Sequence, residues 1–451
     1  MELCFLGATG TVTGSKYLLS SDSTRILIDC GLFQGLKQLR LRNWDVLPVD
    51  LSTLSAVVLT HAHIDHSGYL PLLVKHGYNG KVYCSAATRE LCSVLLPDSG
   101  RLQEEQAEYA NRHKFSKHNP ALPLYTQEDA ERSLQHLVAV DFKQETVLGN
   151  FTLRLFPAGH IPGAASVELR DAQTSIIFSG DLGRPDDPIM NPPTPLEGAN
   201  YLVVESTYGN RQHPAQDAIQ LLGEIITRTA QRDGVVVIPA FAVGRTQMLL
   251  HYIRLLKDAG TIPDIPVYLN SPMAVDATEI FVRHHLEHRL SLQQCEAACS
   301  VAKIIRTVEE SKALNRRKDP MVIIAGSGMA TGGRVVHHLK AFAPDPKNTI
   351  LFVGFQAEGT RGAAMVSGTK SIRIHGEDVP VLAQIESIDS LSAHADYVQI
   401  LEWLKKMQHV PRQVFVTHGE LQAATAMVQH IEEELHWPAR VPEYMEIVQL
   451  K

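Results

Sequence analysis

The residues of this chain best suited to chemistry gather at His61-Ala62-His63-Ile64-Asp65-His66. Three imidazoles and a carboxylate so close together suit a divalent metal of borderline softness, which takes neutral nitrogen and carboxylate oxygen as donors. The run stands directly behind the apolar, β-branched stretch Ala56-Val57-Val58-Leu59-Thr60, so the pattern predicts ligands on a loop at the C-terminal end of a strand. Three more residues have the same setting. His160 follows the strand pattern Thr152 to Phe156, Asp181 follows Ser175 to Phe178, and His418 follows Gln413 to Val416. Together they are expected to let His61, His63 and His160 hold one ion and Asp65, His66 and His418 a second, with Asp181 bridging. Paired ions ~3.5–4 Å apart can share a hydroxide nucleophile and stabilise the attacking and departing oxygens of an in-line displacement. Asp29, also at a strand end, is expected to orient a ligand rather than to bind metal.

The elements that must position these residues read as strands and tight turns at the start: Leu3 to Leu6, Tyr17 to Ser20, and Arg25 to Asp29. Tyr69 to Lys75 reads as a helix, and the polar stretch from Asp98 to Asp129 as helices and loops flanking the site. From Tyr208 the pattern changes to strand and helix in alternation: Val235 to Ile238, Thr246 to Leu256, Val267 to Leu269, Met321 to Ala325, Arg334 to Phe342, Ile350 to Val353. Such alternation predicts a parallel sheet. Past Ser371 strands and a hairpin return, so the second domain is expected to be an insertion in the first, with segments 1–207, 208–370 and 371–451. The early Gly7 to Gly14 run lacks a third glycine at Thr13 and a following helix, which excludes a dinucleotide fingerprint and leaves turns. Gly326 to Gly333 lies between a strand and a helix, where backbone amides suit an anionic backbone.

Composition narrows the class. With 44% hydrophobic and 20% charged residues over 451 positions, the chain can build real cores. No apolar run approaches the ~20 residues of a membrane span, and the opening MELCFLGATG lacks the basic start and long apolar run of a secretory signal, so a soluble, cytoplasmic protein is expected. Six scattered cysteines without a C-x-x-C pair predict buried free thiols. A net charge of −7 argues against a wholly basic surface for indiscriminate nucleic-acid binding, though not against a local basic cleft.

HAHIDH, His160, Asp181 and Asp29 together resemble the signature of the metallo-β-lactamase superfamily, and one branch of it in particular, the β-CASP nucleases. The acidic motif of that branch is matched by Glu205 in Val203-Val204-Glu205-Ser206-Thr207-Tyr208-Gly209, its accessory histidine by His394 in Ser392-Ala393-His394-Ala395-Asp396, and its last histidine by His418. Further landmarks are Phe241 to Gln247 and Gly326 to Arg334. The resemblance implies an αββα metallo-β-lactamase sandwich with an inserted β-CASP α/β domain, mostly a parallel sheet flanked by helices. It also implies two Zn2+ per chain and a ribonuclease acting on single-stranded RNA, with endonuclease action preferred and 5′-3′ exonuclease action open. Asp65, Glu205 and His394 are then the catalytic group, Glu205 orienting His394 as the donor of a proton to the leaving oxygen. Tyr208, Arg245, Ser327, Gly328, Arg334 and Ser392 are the expected RNA contacts, Tyr208 by stacking on a base and the arginines by pairing with phosphate. Single-stranded RNA is the expected partner and a homodimer stays open.

Two other classes compete. A lactam or thioester hydrolase of small molecules would use the same metals, but leaves His394 and the inserted domain without a purpose. A scaffold that has lost catalysis would lack ligands, whereas every ligand position here is filled.

Overall fold

The computed structural model describes residues 1–114 and 116–451, which form two compact units: residues 1–212 with 394–451, and residues 213–393. The first unit is built on two seven-stranded sheets. One runs in the order Ile447–Gln449, Glu2–Phe5, Tyr17–Ser21, Thr24–Ile28, Ala56–Val58, Lys81–Cys84, Leu137–Ala139. The other runs Ala439–Arg440, Gln413–Val416, Tyr201–Val204, Ser175–Phe178, Ala165–Arg170, Phe151–Pro157, Thr146–Leu148.

Alternation along these strands sends one set of side chains inward, where the sheets meet. Leu3, Phe5, Leu19, Ile26, Ile28 and Val58 of the first sheet share a core with Leu153, Leu155, Val167, Ile176, Phe178 and Val203 of the second. Phe5 meets Phe415 at 5.2 Å between ring centroids, and Tyr17 meets Phe178 at 5.5 Å. Each such side chain contributes about 1.5–3 kcal/mol on burial. Leu27, Val57 and Val82, on the opposite pleat, are fully buried too, because the outer face is covered by helices. The result is the expected αββα sandwich.

All the strands that lead into the site end at one edge. Thr24–Ile28, Ala56–Val58 and Lys81–Cys84 are mutually parallel, as are Ser175–Phe178, Tyr201–Val204 and Gln413–Val416. Backbone hydrogen bonds fasten the histidine loop to its neighbours there. Cys30 N–H donates to the His66 carbonyl at 2.7 Å, Leu32 N–H to that of Ile64 at 2.9 Å, and Ser15 N–H to that of Asp65 at 2.9 Å. The approach is so close that only glycine fits at position 31.

In the second unit six strands are all parallel, in the order Lys303–Ile304, Val267–Asn270, Met321–Ala325, Val235–Pro239, Thr349–Val353, Gln384–Ile388. Val235–Pro239, Met321–Ala325 and Thr349–Val353 are buried along their whole length, as a sheet with helices on both faces requires. The return to the first unit falls at His394 rather than at Ser371. Gln384–Ile388 hydrogen-bonds in parallel beside Thr349–Val353, and the hairpin Ser371–Ile374/Glu377–Pro380 packs on the same core through Ile372, Ile374 and Val379. Among the described residues no helix is long and apolar enough to cross a membrane.

A Cβ at Gly31 would lie 1.6 Å from the Asp65 carbonyl oxygen. Gly31→Ala is therefore expected to displace the loop and cost about 1–3 kcal/mol in a denaturant titration, with a drop in metal content; wild-type stability would contradict this packing.

Candidate metal centre

His61, His160, Asp181 and His418 each stand within three residues of a strand end, so the sheets fix their backbone, while His63 caps, and Asp65 and His66 lie on, the short helix Ile64–Ser67 that follows Ala56–Val58. Two of the turns that follow strands use an uncommon left-handed backbone at a non-glycine residue: Asp29 at φ 57° and His418 at φ 47°. Such a conformation costs about 1–3 kcal/mol and persists where surroundings over-determine it. His418 is pinned by its N–H to the Ala8 carbonyl at 2.7 Å and by Ser206 N–H to its own carbonyl at 3.2 Å.

The side chains converge in two adjoining groups. In the first, His63 Nδ1 lies 3.0 Å from His61 Nε2 and 3.2 Å from His160 Nε2, while Asp181 Oδ2 lies 3.4 Å from His61 and 3.6 Å from His160. In the second, His66 Nε2 lies 3.1 Å from His418 Nε2, and Asp65 Oδ2 lies 3.5 Å from His418 Nε2 and 4.0 Å from His66 Nε2. Asp181, 2% exposed, turns its other oxygen to this group, 3.2 Å from His66 Nε2. One carboxylate thus faces both groups.

The donor set fits metal ions. Donors ~2.0–2.1 Å from one tetrahedral ion lie about 3.3–3.4 Å apart, close to the separations found. Asp181 Oδ1 is buried without a hydrogen bond of good geometry, its nearest neighbours being His66 Nε2 at 3.2 Å and His418 Nδ1 at 3.5 Å, so its charge rests on these rings unless a metal cation takes over that role. Behind the donors, Asp29 Oδ2 accepts from His66 Nδ1 at 2.7 Å and from the Thr60 hydroxyl at 2.9 Å, and its Oδ1 accepts from Thr60 N–H at 2.7 Å. Asp29 therefore touches His66 from behind and stands outside the groups of candidate donors.

Electrostatics within the cluster differ from ring to ring. Burial pushes His61 well below the ordinary histidine range and His63 down to about 4, keeping both neutral and fit to ligate. Burial opposes charge on His66 as well, yet Asp181 and Asp29 outweigh it and hold that ring well above its usual range. Asp181 is held well below the usual carboxylate range: burial works against its charge, but His418, His66 and His61 prevail.

A third group adjoins these. Glu205, 1% exposed, has both oxygens 3.1 Å from His394 Nδ1, accepts from Leu182 N–H at 2.6 Å and from Thr207 N–H at 3.3 Å. His394 Nε2 lies 3.9 Å from Asp181 Oδ2. The backbone holds His394 there by a bridge to Gly183 and by Ala395 N–H to the Leu182 carbonyl at 2.8 Å.

The expected RNA contacts fare differently. Tyr208 lies near the site, with its ring centroid 6.4 Å from that of His394, but is 2% exposed and has Arg211 over its face at 5.0 Å. Its ring therefore offers no open face to a base. The other five belong to the second unit. Arg334 directs three bonds to Asn270 Oδ1 and the Ile305 and Arg306 carbonyls, bracing a loop rather than presenting a free fork. Ser327 turns the glycine loop's amides inward: its hydroxyl accepts from Thr331 N–H at 3.1 Å and Gly332 N–H at 3.4 Å. Arg245 and Ser392 are buried, and Gly328 is pressed against Phe241, whose ring a Cβ there would meet at 2.5 Å. Sequence reasoning passed over Thr60 and Thr207, whose hydroxyls touch ligand rings; the available signal was their position beside His61 and Glu205.

An αββα sandwich that collects imidazoles and carboxylates at one strand edge, in groups that could hold metal, is the architecture of a metallo-hydrolase. Residues 9–237 match the Metallo-beta-lactamase superfamily, 246–365 the Beta-Casp domain, and 378–442 the Zn-dependent metallo-hydrolase RNA specificity domain. The chain belongs to the metallo-β-lactamase superfamily, in its β-CASP branch. Ribonuclease TTHA0252 of Thermus thermophilus is 36% identical over 435 residues, covering 95% of each chain. Transcription termination factor FttA of Methanosarcina mazei is 33% identical over 469 residues, which is 99% of this chain and 71% of that one. A crystal structure of a protein of unknown function from Enterococcus faecalis V583 shares the fold alone, with a TM-score of 0.54 and 14% identity, covering 100% of this chain and 99% of that one.

Because His66 carries a raised pKa, a metal ion must displace its proton. Uptake near pH 7 is expected to release protons and to tighten as pH rises, read by calorimetry in buffers of different ionisation heat; uptake without proton release would contradict it. Asp181→Ala is expected to empty at least one position, checked by metal analysis, and full occupancy would refute the shared-carboxylate arrangement.

Proposed function

We propose that this chain is a ribonuclease that binds two zinc ions and hydrolyses single-stranded RNA endonucleolytically in the cytoplasm. His61, His63 and His160 would hold one ion and Asp65, His66 and His418 the other, with Asp181 shared. Imidazole and carboxylate donors favour zinc over the harder magnesium and calcium. Bound ions of this kind supply an activated water and neutralise charge on a phosphoryl group. The six free cysteines, five of them buried, suit a reducing compartment.

The observation that carries the reading is the Glu205–His394 pair beside Asp181. Phosphodiester hydrolysis needs a proton for the departing oxygen, and an imidazole titrating near neutral pH can deliver it. Glu205 is fixed by two backbone amides, so its carboxylate can accept from His394 Nδ1 and orient the ring. That leaves His394 Nε2, on the side facing Asp181, to carry the proton toward the leaving group. RNA as substrate draws further support from the RNA specificity domain match and from the ribonuclease relative.

His394→Ala is expected to lower turnover about 10²–10⁴-fold while bound metal is unchanged; loss of metal would make His394 a ligand instead. End-labelled and circular single-stranded RNA separate the modes of cutting. Internal fragments and opened circles are expected, whereas mononucleotides from the 5′ end with intact circles would mean exonuclease action.

A further inference from the structure

The hydroxyl of Thr60 and that of Thr207 each touch the ring nitrogen of a histidine that points away from the ion positions. Thr60 Oγ1 lies 3.1 Å from His61 Nδ1, and Thr207 Oγ1 lies 3.2 Å from His418 Nδ1. A hydroxyl has one proton to donate. Thr60 directs its own to the Asp29 carboxylate at 2.9 Å, an acceptor only, so toward His61 its oxygen accepts. Thr207 Oγ1 is as near to the His418 carbonyl, an acceptor only, as to His418 Nδ1, 3.2 Å each; with its proton on the carbonyl it accepts from the ring, and Asp181 Oδ1, 3.5 Å from the same Nδ1, is a second acceptor there. A neutral His61 or His418 is then driven to carry its proton on Nδ1, leaving Nε2 bare.

The opposite tautomer has an attraction of its own in each case. Asp181 Oδ2 is 3.4 Å from His61 Nε2, and Asp65 Oδ2 is 3.5 Å from His418 Nε2. Either carboxylate would draw the ring proton onto Nε2 and close the lone pair that a metal needs. At His418 the longer approach of Asp181 Oδ1 to Nδ1, 3.5 Å, works with Thr207 rather than against it. His66 needs no such help, since the Asp29 carboxylate takes its Nδ1 proton directly at 2.7 Å. Both threonines are buried, so water does not offer the rings an alternative acceptor.

We propose that Thr60 and Thr207 are positioning residues that set the tautomers of His61 and His418, one for each ion position, and so hold both rings ready for metal. The inference rests on the two-metal reading of the site. A valine keeps the shape of threonine and removes the acceptor, whereas a serine keeps the acceptor.

The test uses the full chain carrying 15N-labelled histidine, freed of metal, with zinc uptake then followed by competition against a chelator. In the wild type, the His61 and His418 rings are expected as Nδ1–H. In Thr60→Val the His61 proton moves to Nε2 and one zinc equivalent weakens about 10–100-fold; Thr207→Val does the same for His418 and the other equivalent. The serine variants should restore both readings. Wild-type tautomers and affinity in the valine variants would overturn the proposal, and so would serine variants that behave like valine. If a valine variant does not fold, the alanine variant at that position should give the same shift. A wild-type chain that takes up no zinc contradicts the two-metal reading itself; one that takes up zinc, with valine variants unaffected, contradicts this inference alone.

Discussion

The structure depends on a repulsion that the fold holds in check. Nitrogens of five imidazoles and oxygens of two carboxylates are brought to between 3.0 and 4.0 Å of one another where little water reaches. In low dielectric such groups repel or trap protons, as the opposite shifts of His61 and His66 record. Bound metal would turn the same arrangement from costly to favourable. The sandwich core and the strand ends that leave it hold the backbone of these groups in place.

Much of the rest follows from that constraint. The left-handed backbone at Asp29 and His418 aims side chains that an extended strand would send past the site. Gly31 lets the Asp29 turn lie directly on the histidine loop, where the Asp29 carboxylate holds the His66 ring from behind. Glu205 is tied to the Leu182 and Thr207 amides and holds His394 beside Asp181.

The sequence made the site legible where chemistry and local periodicity coincide. His61 to His66 directly after a buried β-branched strand, and His160, Asp181 and His418 in the same setting, were legible from short apolar strand patterns that end in polar residues. Features set by tertiary packing were not legible. Tyr208 reads as a stacking aromatic in sequence but is covered on all sides in the fold. The glycine loop 326–333 reads as an anion nest, yet Ser327 folds its amides inward. The hairpin and strand over 371–388 look like the opening β-rich domain, since short strands carry no label of the sheet they join; the pairing of Gln384–Ile388 with Thr349–Val353 decides it. Thr60 and Thr207 were passed over because a hydroxyl gains its meaning only from what its single proton already serves.

The central claim is that one edge of the sandwich holds two ions that share Asp181. Anomalous diffraction at the zinc absorption edge, on crystals of the zinc-loaded chain, tests it most directly. Two peaks are expected, one among His61, His63, His160 and Asp181 and the other among Asp65, His66, His418 and Asp181. A single peak, or peaks elsewhere on the chain, would contradict it.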